Sequence, residues 1–210
     1  MDKIKIVFAT ANPHKIEELR AIAKANGIKN VEFVLPPEGF NPEETGLTFE
    51  ENSLIKAKEA NRLTGMMALA DDSGLCVEAL NGEPGIHSAR FAETAQARID
   101  KLLKLLENEE NRKAKFVCAM TLVNEKGDVI YTTRGECTGE IAYEPSGKNG
   151  FGYDPVFIVG SISKQSGDRF SSNKVRNKGL TMSEMSENEK NKISHRARAL
   201  NNILDFVKKF

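Results

Sequence analysis

The chain has 210 residues, with 30 basic and 30 acidic side chains and a formal net charge of zero. Its length and its 40% hydrophobic fraction are typical of a globular protein, and they exclude collagen, low-complexity disorder and a disulfide scaffold. The charge balance argues against a dedicated nucleic-acid-binding protein, which normally carries a basic excess. Three scattered cysteines without C-x-x-C spacing, and no long apolar run, predict a cytoplasmic protein without a membrane span.

Strand and helix patterns alternate in the first half of the chain. Ile4–Ala9 predicts a buried strand that leads into a helix with Asn12 as N-cap, Pro13 at the first helical position and a stop at Gly27. The other elements predicted in this half are strands at 31–35 and 67–70, a helix opened by Thr48 with Glu51 as its capping-box partner, and a helix at 94–106.

The second half of the chain is richer in strand patterns. It predicts a hairpin of strands at 116–123 and 129–136, further strands at 141–143 and 155–159, and a final helix at about 194–208. Residues 161–177 are polar and basic, and we predict a flexible insertion there. No linker divides the chain, so we predict one α/β domain over residues 1–210 with a mixed sheet.

The segment Thr10-Ala-Asn-Pro-His-Lys15 connects the first strand to the first helix. A short turn at this point presents the free N–H groups and the positive dipole of a helix N-terminus, which suits phosphate. Thr10 and Asn12 add polar side chains, and Lys15 adds a positive charge. The alternative is that Asn12 and Pro13 only cap the helix. The pattern of a Walker P-loop is absent.

Two adjacent carboxylates, Asp71 and Asp72, follow the apolar run 67–70, and we predict that the strand stops at them. Ligands of open α/β sheets bind at the carboxyl ends of strands. Because adjacent side chains diverge, one Asp can face a cleft and ligate Mg²⁺ or orient a water while the other holds the turn. The alternative is an Asp-Gly-type turn without a catalytic role.

Glu44 is the better metal partner for Asp72, because Glu51 has a capping role and we find no structural role for Glu44. Lys56 lies two turns into the second helix. It is either a solvated lysine or a phosphate contact.

Gly150-Phe-Gly-Tyr-Asp-Pro155 is a glycine-rich segment with two aromatic rings. Its glycines allow close backbone approach, Phe151 and Tyr153 offer flat faces for a base, and Asp154 can accept hydrogen bonds from a heterocycle. A glycine hairpin with packed aromatics is the alternative.

His195 and Arg196 fall in the first turn of the last helix, with Ser194 as its predicted N-cap. Cations are unfavourable at a helix N-terminus, which indicates an anionic or hydrogen-bonding partner. The alternative for His195 is an ordinary surface position.

Six motifs occur in order along the chain: Thr-x-Asn-x-x-Lys, Glu-Thr-Gly-x-Thr-Phe-x-Glu-Asn, Ala-Asp-Asp-Ser-Gly-Leu, Gly-x-Pro-Gly-x-x-Ser-Ala-Arg-Phe, Gly-Phe-Gly-Tyr-Asp-Pro and Ile-Ser-His-Arg. Together they closely resemble the inosine triphosphate pyrophosphatase family, which removes deaminated purines from the nucleotide pool. The resemblance implies a homodimeric α/β protein with a long central mixed β-sheet, helices on both faces, and an active-site cleft between two lobes. It also implies Mg²⁺-dependent hydrolysis of ITP, dITP and XTP to the monophosphate and pyrophosphate.

The same resemblance assigns roles to individual residues. Glu44 and Asp72 are expected to bind the metal, and Asp72 is also the expected base for the attacking water. Lys56 is expected to approach the triphosphate from the second helix. The other expected substrate contacts are Thr10, Ala11, Asn12, Pro13, His14, Lys15, Ser73, Phe151, Gly152, Tyr153, Asp154, Lys190, His195 and Arg196, of which the last two lie near the purine 6-oxo group.

Two other functions stay open at this point. One is a related pyrophosphatase for modified pyrimidines or methylated bases, which would share the phosphate end of the site. The pair of His195 and Arg196 argues for purines instead. The other is a catalytically silent nucleotide-binding protein, against which the presence of both Glu44 and Asp72 argues.

Overall fold

The computed structural model describes residues 3–160 and 179–208. The insertion predicted at 161–177 lies outside these residues. Within the described ranges, no helix is both long enough and apolar enough to cross a membrane. The cytoplasmic location stays a prediction.

The described residues form six strands and five α-helices. The strands are β1 (Ile4–Phe8), β2 (Val31–Val34), β3 (Ala68–Val77), β4 (Lys113–Val123), β5 (Val129–Ile141) and β6 (Phe157–Val159). The helices are α1 (Pro13–Ala25), α2 (Phe49–Thr64), α3 (Ala95–Leu105), α4 (Glu187–Ile193) and α5 (His195–Val207). The strands make one sheet in the order β2-β1-β3-β4-β5-β6. β1 is parallel to β2 and β3, whereas β5 is antiparallel to β6, so the sheet is mixed as predicted.

Helices cover both faces of the sheet around β1 and β3, and this confirms the predicted arrangement. Alternate residues of a strand point to opposite faces. One set packs in a core with α1 and α5 and includes Ile6 and Phe8 of β1 and Leu69 of β3. The other set packs in a core with α2 and includes Val7 of β1 and Ala68 and Ala70 of β3. β1 and β3 are therefore buried on both faces, which is typical of parallel strands in α/β proteins.

The helix starts agree with their sequence signals. The Asn12 side chain caps α1 by accepting a hydrogen bond from the His14 N–H. Thr48 and Glu51 form the predicted capping box at α2, and Ser194 caps α5 through the Ala197 N–H. These side chains satisfy N–H groups that a helix leaves without intrahelical partners, which explains why these short polar residues stand at the boundaries.

The predicted end of β3 at Asp71 is wrong, because the strand continues through Asp71-Asp72-Ser73-Gly74 as far as Val77. The carboxylates remain within a buried strand because cationic side chains meet them on each face, as described below. The separate strand predicted at 141–143 is also wrong. Ile141 is the last residue of β5, which extends that far because its residues 139–141 pair with β6. β6 starts only at Phe157, since Asp154–Val156 form a 3₁₀ turn.

The chain divides into two compact units, each assembled from separate segments. The first unit comprises the described residues within Met1–Gly74, Phe116–Glu136 and Asn191–Phe210. The second unit comprises those within Leu75–Lys115 and Cys137–Lys190. The single domain over residues 1–210 and the cleft between two lobes stay predictions.

Gly135 in β5 allows the first turn of α5 to lie directly against the strand. A Cβ atom at this position would lie 2.2 Å from the carbonyl oxygen of His195 and 2.5 Å from the backbone nitrogen of Ala199. Both are backbone atoms, so no side-chain rotation can relieve the clash. The absence of a side chain at Gly135 therefore decides where the turn that contains His195 and Arg196 can sit.

We expect Gly135→Ala to lower the free energy of unfolding by about 1–3 kcal/mol, because the methyl group forces α5 away from the sheet. Urea denaturation measures this change. Thr132→Ala, at an exposed position of the same strand, is the control and should change stability by less than about 0.5 kcal/mol. Equal stability of the two variants would contradict the close packing at Gly135.

Candidate active site

The turn between β1 and α1 has fewer open N–H groups than its sequence pattern predicts. Pro13 has no N–H, the His14 N–H donates to the Asn12 side chain, and the Lys15 N–H donates to the Asn12 carbonyl at 3.2 Å. The Asn12 N–H donates to Thr10 Oγ1 at 3.1 Å. The expectation of several free N–H groups is therefore wrong for these positions, because the capping interactions use them.

Space for a ligand is nevertheless present beside this turn. A cavity of about 220 Å³ is lined on one side by Thr10, Ala11, Asn12 and Pro13, and on the other by residues 35–40. Thr10 is buried, while Ala11 and Pro13 are exposed. The turn is thus accessible from the cavity.

Asp71 is the centre of a charged network on the face of β3 that packs against α1 and α5. Its carboxylate accepts from Lys15 Nζ at 2.9 Å and from Arg196 Nε at 3.3 Å, and the Ser73 hydroxyl donates to it at 2.9 Å. Arg196 also donates to the Glu18 carboxylate through Nη1. The anionic partner expected for Arg196 thus includes two carboxylates of the chain itself.

Burial raises the pKa of Asp71, but the positive charges of Lys15, Arg196 and Lys56 outweigh burial and hold the pKa well below its usual range. The pKa of Arg196 is raised, because the carboxylates of Asp71 and Glu18 outweigh the lowering caused by burial. The side chain of Asp71 is fully buried and that of Arg196 is 2% exposed. Both groups are therefore ionised, and Asp71 fixes the positions of the two cations.

Asp72 belongs to a second network, on the opposite face of β3, which packs against α2. Lys56 Nζ donates to Asp72 Oδ1 at 3.0 Å and to Glu44 Oε1 at 2.6 Å. The Asn52 amide makes a longer contact of 3.4 Å with Asp72 Oδ2, and its oxygen accepts from the Gly46 N–H at 2.8 Å. Glu44 and Asp72 are thus brought together, as predicted, and one ammonium group bridges them.

Burial has the largest effect on the pKa of Asp72 and raises it, and the nearby negative charge of Glu44 adds to the increase. The charge and hydrogen bond of Lys56 lower the pKa, but the net shift is upward. For Lys56, burial lowers the pKa, but the negative charges of Asp72, Asp71 and Glu44 outweigh burial and raise it above the usual value. Two adjacent aspartates therefore have opposite pKa shifts. Asp71 faces two cations, whereas Asp72 shares a single cation with another carboxylate.

His195 is buried at the start of α5, so the surface position considered as an alternative is wrong. Its ring stacks on Phe116 of β4 with a centroid distance of 4.8 Å and an interplanar angle of 14°. The His195 backbone packs directly against Gly135 of β5, the strand next to β4. The imidazole is therefore held in a defined orientation.

The second unit holds the remaining predicted substrate contacts in a group of its own. Lys190 Nζ lies 2.7 Å from Asp154 Oδ2, and both side chains are buried. The same oxygen accepts from the Phe151 N–H at 2.8 Å, and the ammonium lies 4.6 Å from the centroid of the Phe151 ring. A Cβ atom on Gly150 would come within 2.2 Å of Asp154 Oδ2. Gly150 therefore leaves the space that this carboxylate occupies.

Tyr153 has a different environment from Phe151. Its side chain is buried, its hydroxyl donates to the Ser88 carbonyl at 3.0 Å, and burial raises its pKa to about 12. This matches the alternative of a glycine-rich turn with a packed aromatic ring. Gly152, which precedes it, has a φ of +64°. The substrate roles of Gly152 and Tyr153 stay predictions.

Glu18, Asn52, Phe116 and Gly135 contact the predicted site residues but are not themselves among them. Glu18 is three residues after Lys15 on α1, and Asn52 is four residues before Lys56 on α2, so helical spacing offered a signal for both. Phe116 and Gly135 lie in strands far along the chain from His195, and no local pattern indicates their contacts with it.

The sequence and the fold identify the relatives of this protein. A sequence model described as the Ham1 family matches residues 6–206. The chain belongs to the Ham1 family. It is 42% identical to a dITP/XTP pyrophosphatase of Nostoc sp. over 204 residues, which cover 97% of this chain and 94% of the relative. This confirms the family relationship predicted from the six motifs.

Solved structures of Ham1 relatives show the same fold. The HAM1 protein from Coxiella burnetii has a TM-score of 0.81 and 38% identity, with 99% of this chain and 100% of that chain covered. A nucleoside-triphosphatase, also named dITP/XTP pyrophosphatase, from Mycobacterium abscessus has a TM-score of 0.69 and 38% identity, with 97% and 100% covered. The α/β fold class is therefore confirmed, while the roles of the individual site residues stay predictions.

We expect Asp71→Asn to lower the free energy of unfolding by on the order of 3 kcal/mol, because it removes the negative charge between Lys15 and Arg196. Asp72→Asn is the matched control, since Lys56 keeps Glu44 as a partner. Its loss of stability should be clearly smaller. Urea denaturation compares the two variants, and a loss in Asp72→Asn as large as in Asp71→Asn would contradict this difference.

Proposed function

We propose that this Ham1-family protein hydrolyses ITP, dITP and XTP to the nucleoside monophosphate and pyrophosphate. The observation that carries the proposal is that Glu44 and Asp72 converge on one cation, the ammonium group of Lys56. Its Nζ lies 2.6 Å from Glu44 Oε1 and 3.0 Å from Asp72 Oδ1. The names of the relatives from Nostoc sp. and Mycobacterium abscessus support the reaction and the class of substrate.

The two converging carboxylates fit a magnesium ion. Mg²⁺ prefers oxygen ligands and is usually held by one or two carboxylates, with waters and substrate phosphates at its other positions. In the described part of the chain, no three His, Cys, Asp or Glu side chains are grouped to hold a metal. We therefore assign Mg²⁺ to Glu44 and Asp72 only, in a site that a triphosphate completes.

Asp72 is the base in this proposal. It accepts a proton from the water whose oxygen attacks the α-phosphorus, and the bond from that phosphorus to the oxygen bridging the β-phosphorus breaks. Pyrophosphate leaves with the electron pair of this bond. When bound, Mg²⁺ supplies positive charge that stabilises the leaving group.

Lys15 and Lys56 bind the phosphates together with the turn Thr10–Lys15. Both ammonium groups are paired with buried carboxylates, so each is held in place before a substrate arrives. Positive charges at these positions stabilise the negative charge of a phosphoryl-transfer transition state. The cavity beside Thr10 and Asn12 provides the adjoining space.

The purine base of the substrate is recognised through hydrogen-bond donors directed at its 6-oxo group. Arg196 is a suitable donor because Asp71 and Glu18 fix its guanidinium, and His195 is fixed by its stack on Phe116. The 6-amino group of adenine would place donor against donor, at a cost of about 1–3 kcal/mol for each unpaired group. Guanine also has a 6-oxo group, so it has to be excluded through its 2-amino group.

Ser73, Phe151, Asp154 and Lys190 are the further nucleotide contacts in this proposal.

A Mg²⁺ assay on ITP, dITP, XTP and the standard triphosphates, with release of pyrophosphate as the readout, tests the function. We expect the three deaminated purine nucleotides to be hydrolysed preferentially. Asp72→Asn should lower kcat by at least about 100-fold, the range typical of a lost general base. Circular dichroism checks that the variant is folded.

Equal or absent turnover across the panel would contradict the substrate proposal, and preferential turnover of modified pyrimidines would replace it. Full activity of Asp72→Asn would contradict its role as the base.

We also propose a homodimer, on the basis of the family resemblance. Light scattering coupled to size-exclusion chromatography should give twice the 23.2 kDa mass of one chain. A mass of one chain across the working concentration range would contradict this proposal.

A further inference from the structure

Lys56 contacts both carboxylates that we assign to the metal. Its Nζ lies 2.6 Å from Glu44 Oε1 and 3.0 Å from Asp72 Oδ1. The side chains of Lys56 and Asp72 are only 10% and 9% exposed, and that of Glu44 is 25% exposed. Water therefore screens these charges weakly, and the ammonium is held between the two oxygen atoms.

A divalent ion bound to the same two oxygen atoms would lie close to the ammonium. Two positive charges a few ångströms apart repel each other strongly in a partly buried site. The oxygen atoms would also have to exchange the N–H donors of Lys56 for the metal.

A bound triphosphate changes this balance because its oxygen atoms are alternative acceptors for Lys56. They add negative charge beside the ammonium and complete the ligands of the ion. The metal and the triphosphate then favour each other, and the coupling between them acts in both directions.

We propose that Lys56 competes with the divalent metal for Glu44 and Asp72, so that the metal binds tightly only together with a polyphosphate that accepts Lys56. This inference rests on the metal position given under the proposed function. In this role Lys56 weakens binding of the metal when no polyphosphate is present, and it also contacts the phosphates when they are bound.

Lys15 provides a matched control for this inference. It is also a lysine at a buried aspartate, with Nζ 2.9 Å from Asp71 Oδ2, but it lies on the opposite face of β3. Neither Glu44 nor Asp72 accepts a hydrogen bond from it among the described contacts. Lys15→Met removes the same unit of charge from the site without vacating the two proposed metal ligands.

The test is a titration of the 210-residue chain with Mn²⁺ in the absence of nucleotide, followed by electron paramagnetic resonance of the free ion. We expect Lys56→Met to bind Mn²⁺ about tenfold more tightly than the parent protein, a modest coupling by usual standards. Lys15→Met should stay within about twofold of the parent. Equal or weaker binding by Lys56→Met, or an equal gain in both variants, would overturn the inference.

Lys56→Arg keeps the experiment decisive if Lys56→Met does not fold. The guanidinium keeps its charge and can donate to both carboxylates through its rigid fork. We therefore expect Mn²⁺ binding to be at least about twofold weaker than in the parent, an effect smaller than the roughly fivefold lower end of typical couplings. Equal or tighter binding would overturn the inference.

These titrations separate the inference from the proposed function, because they use no nucleotide and no turnover. A protein that hydrolyses ITP but shows no gain in Lys56→Met loses only the inference. A protein that shows the gain but does not hydrolyse deaminated purine triphosphates loses only the proposed function.

Discussion

The burial of two adjacent carboxylates within β3 is the constraint on which the candidate site depends. A strand directs neighbouring side chains to opposite faces, so Asp71 and Asp72 need separate compensation. Asp71 has Lys15 and Arg196 on the face of α1 and α5, whereas Asp72 has Lys56 on the face of α2. Removing one partner from such a buried pair typically costs about 3–5 kcal/mol, and the helices that carry these cations are therefore tied to the strand.

This arrangement gives the two aspartates different chemistry although they are neighbours. Asp71 has a lowered pKa and serves to fix cations, whereas Asp72 has a raised pKa and shares its cation with Glu44. The two networks also interact, because Lys56 lowers the pKa of Asp71 as well. The two networks place three cations against four carboxylates around one strand, so the charges buried there are paired rather than isolated.

Much of the fold could be predicted because its signals are local. The caps at Asn12, Thr48 and Ser194 depend on interactions within a few residues, so their sequence positions define the helix starts. The end of β3 could not be predicted in this way. Consecutive aspartates normally indicate a turn, and only the cations supplied from α1, α2 and α5 make a buried strand possible there. The extension of β5 to Ile141 likewise depends on pairing with β6, which is a non-local interaction.

The sequence by itself determined the family, the order of the motifs and the residue types for the site, since each motif is a short run of chemically specific side chains. Only the tertiary structure decided which groups meet. It placed Lys56 between Glu44 and Asp72, joined Arg196 to Glu18 and Asp71, and stacked His195 on Phe116. The physical reason is that these contacts join residues far apart along the chain, and burial of charge, which sets their energies and pKa values, exists only after the helices have packed on the sheet.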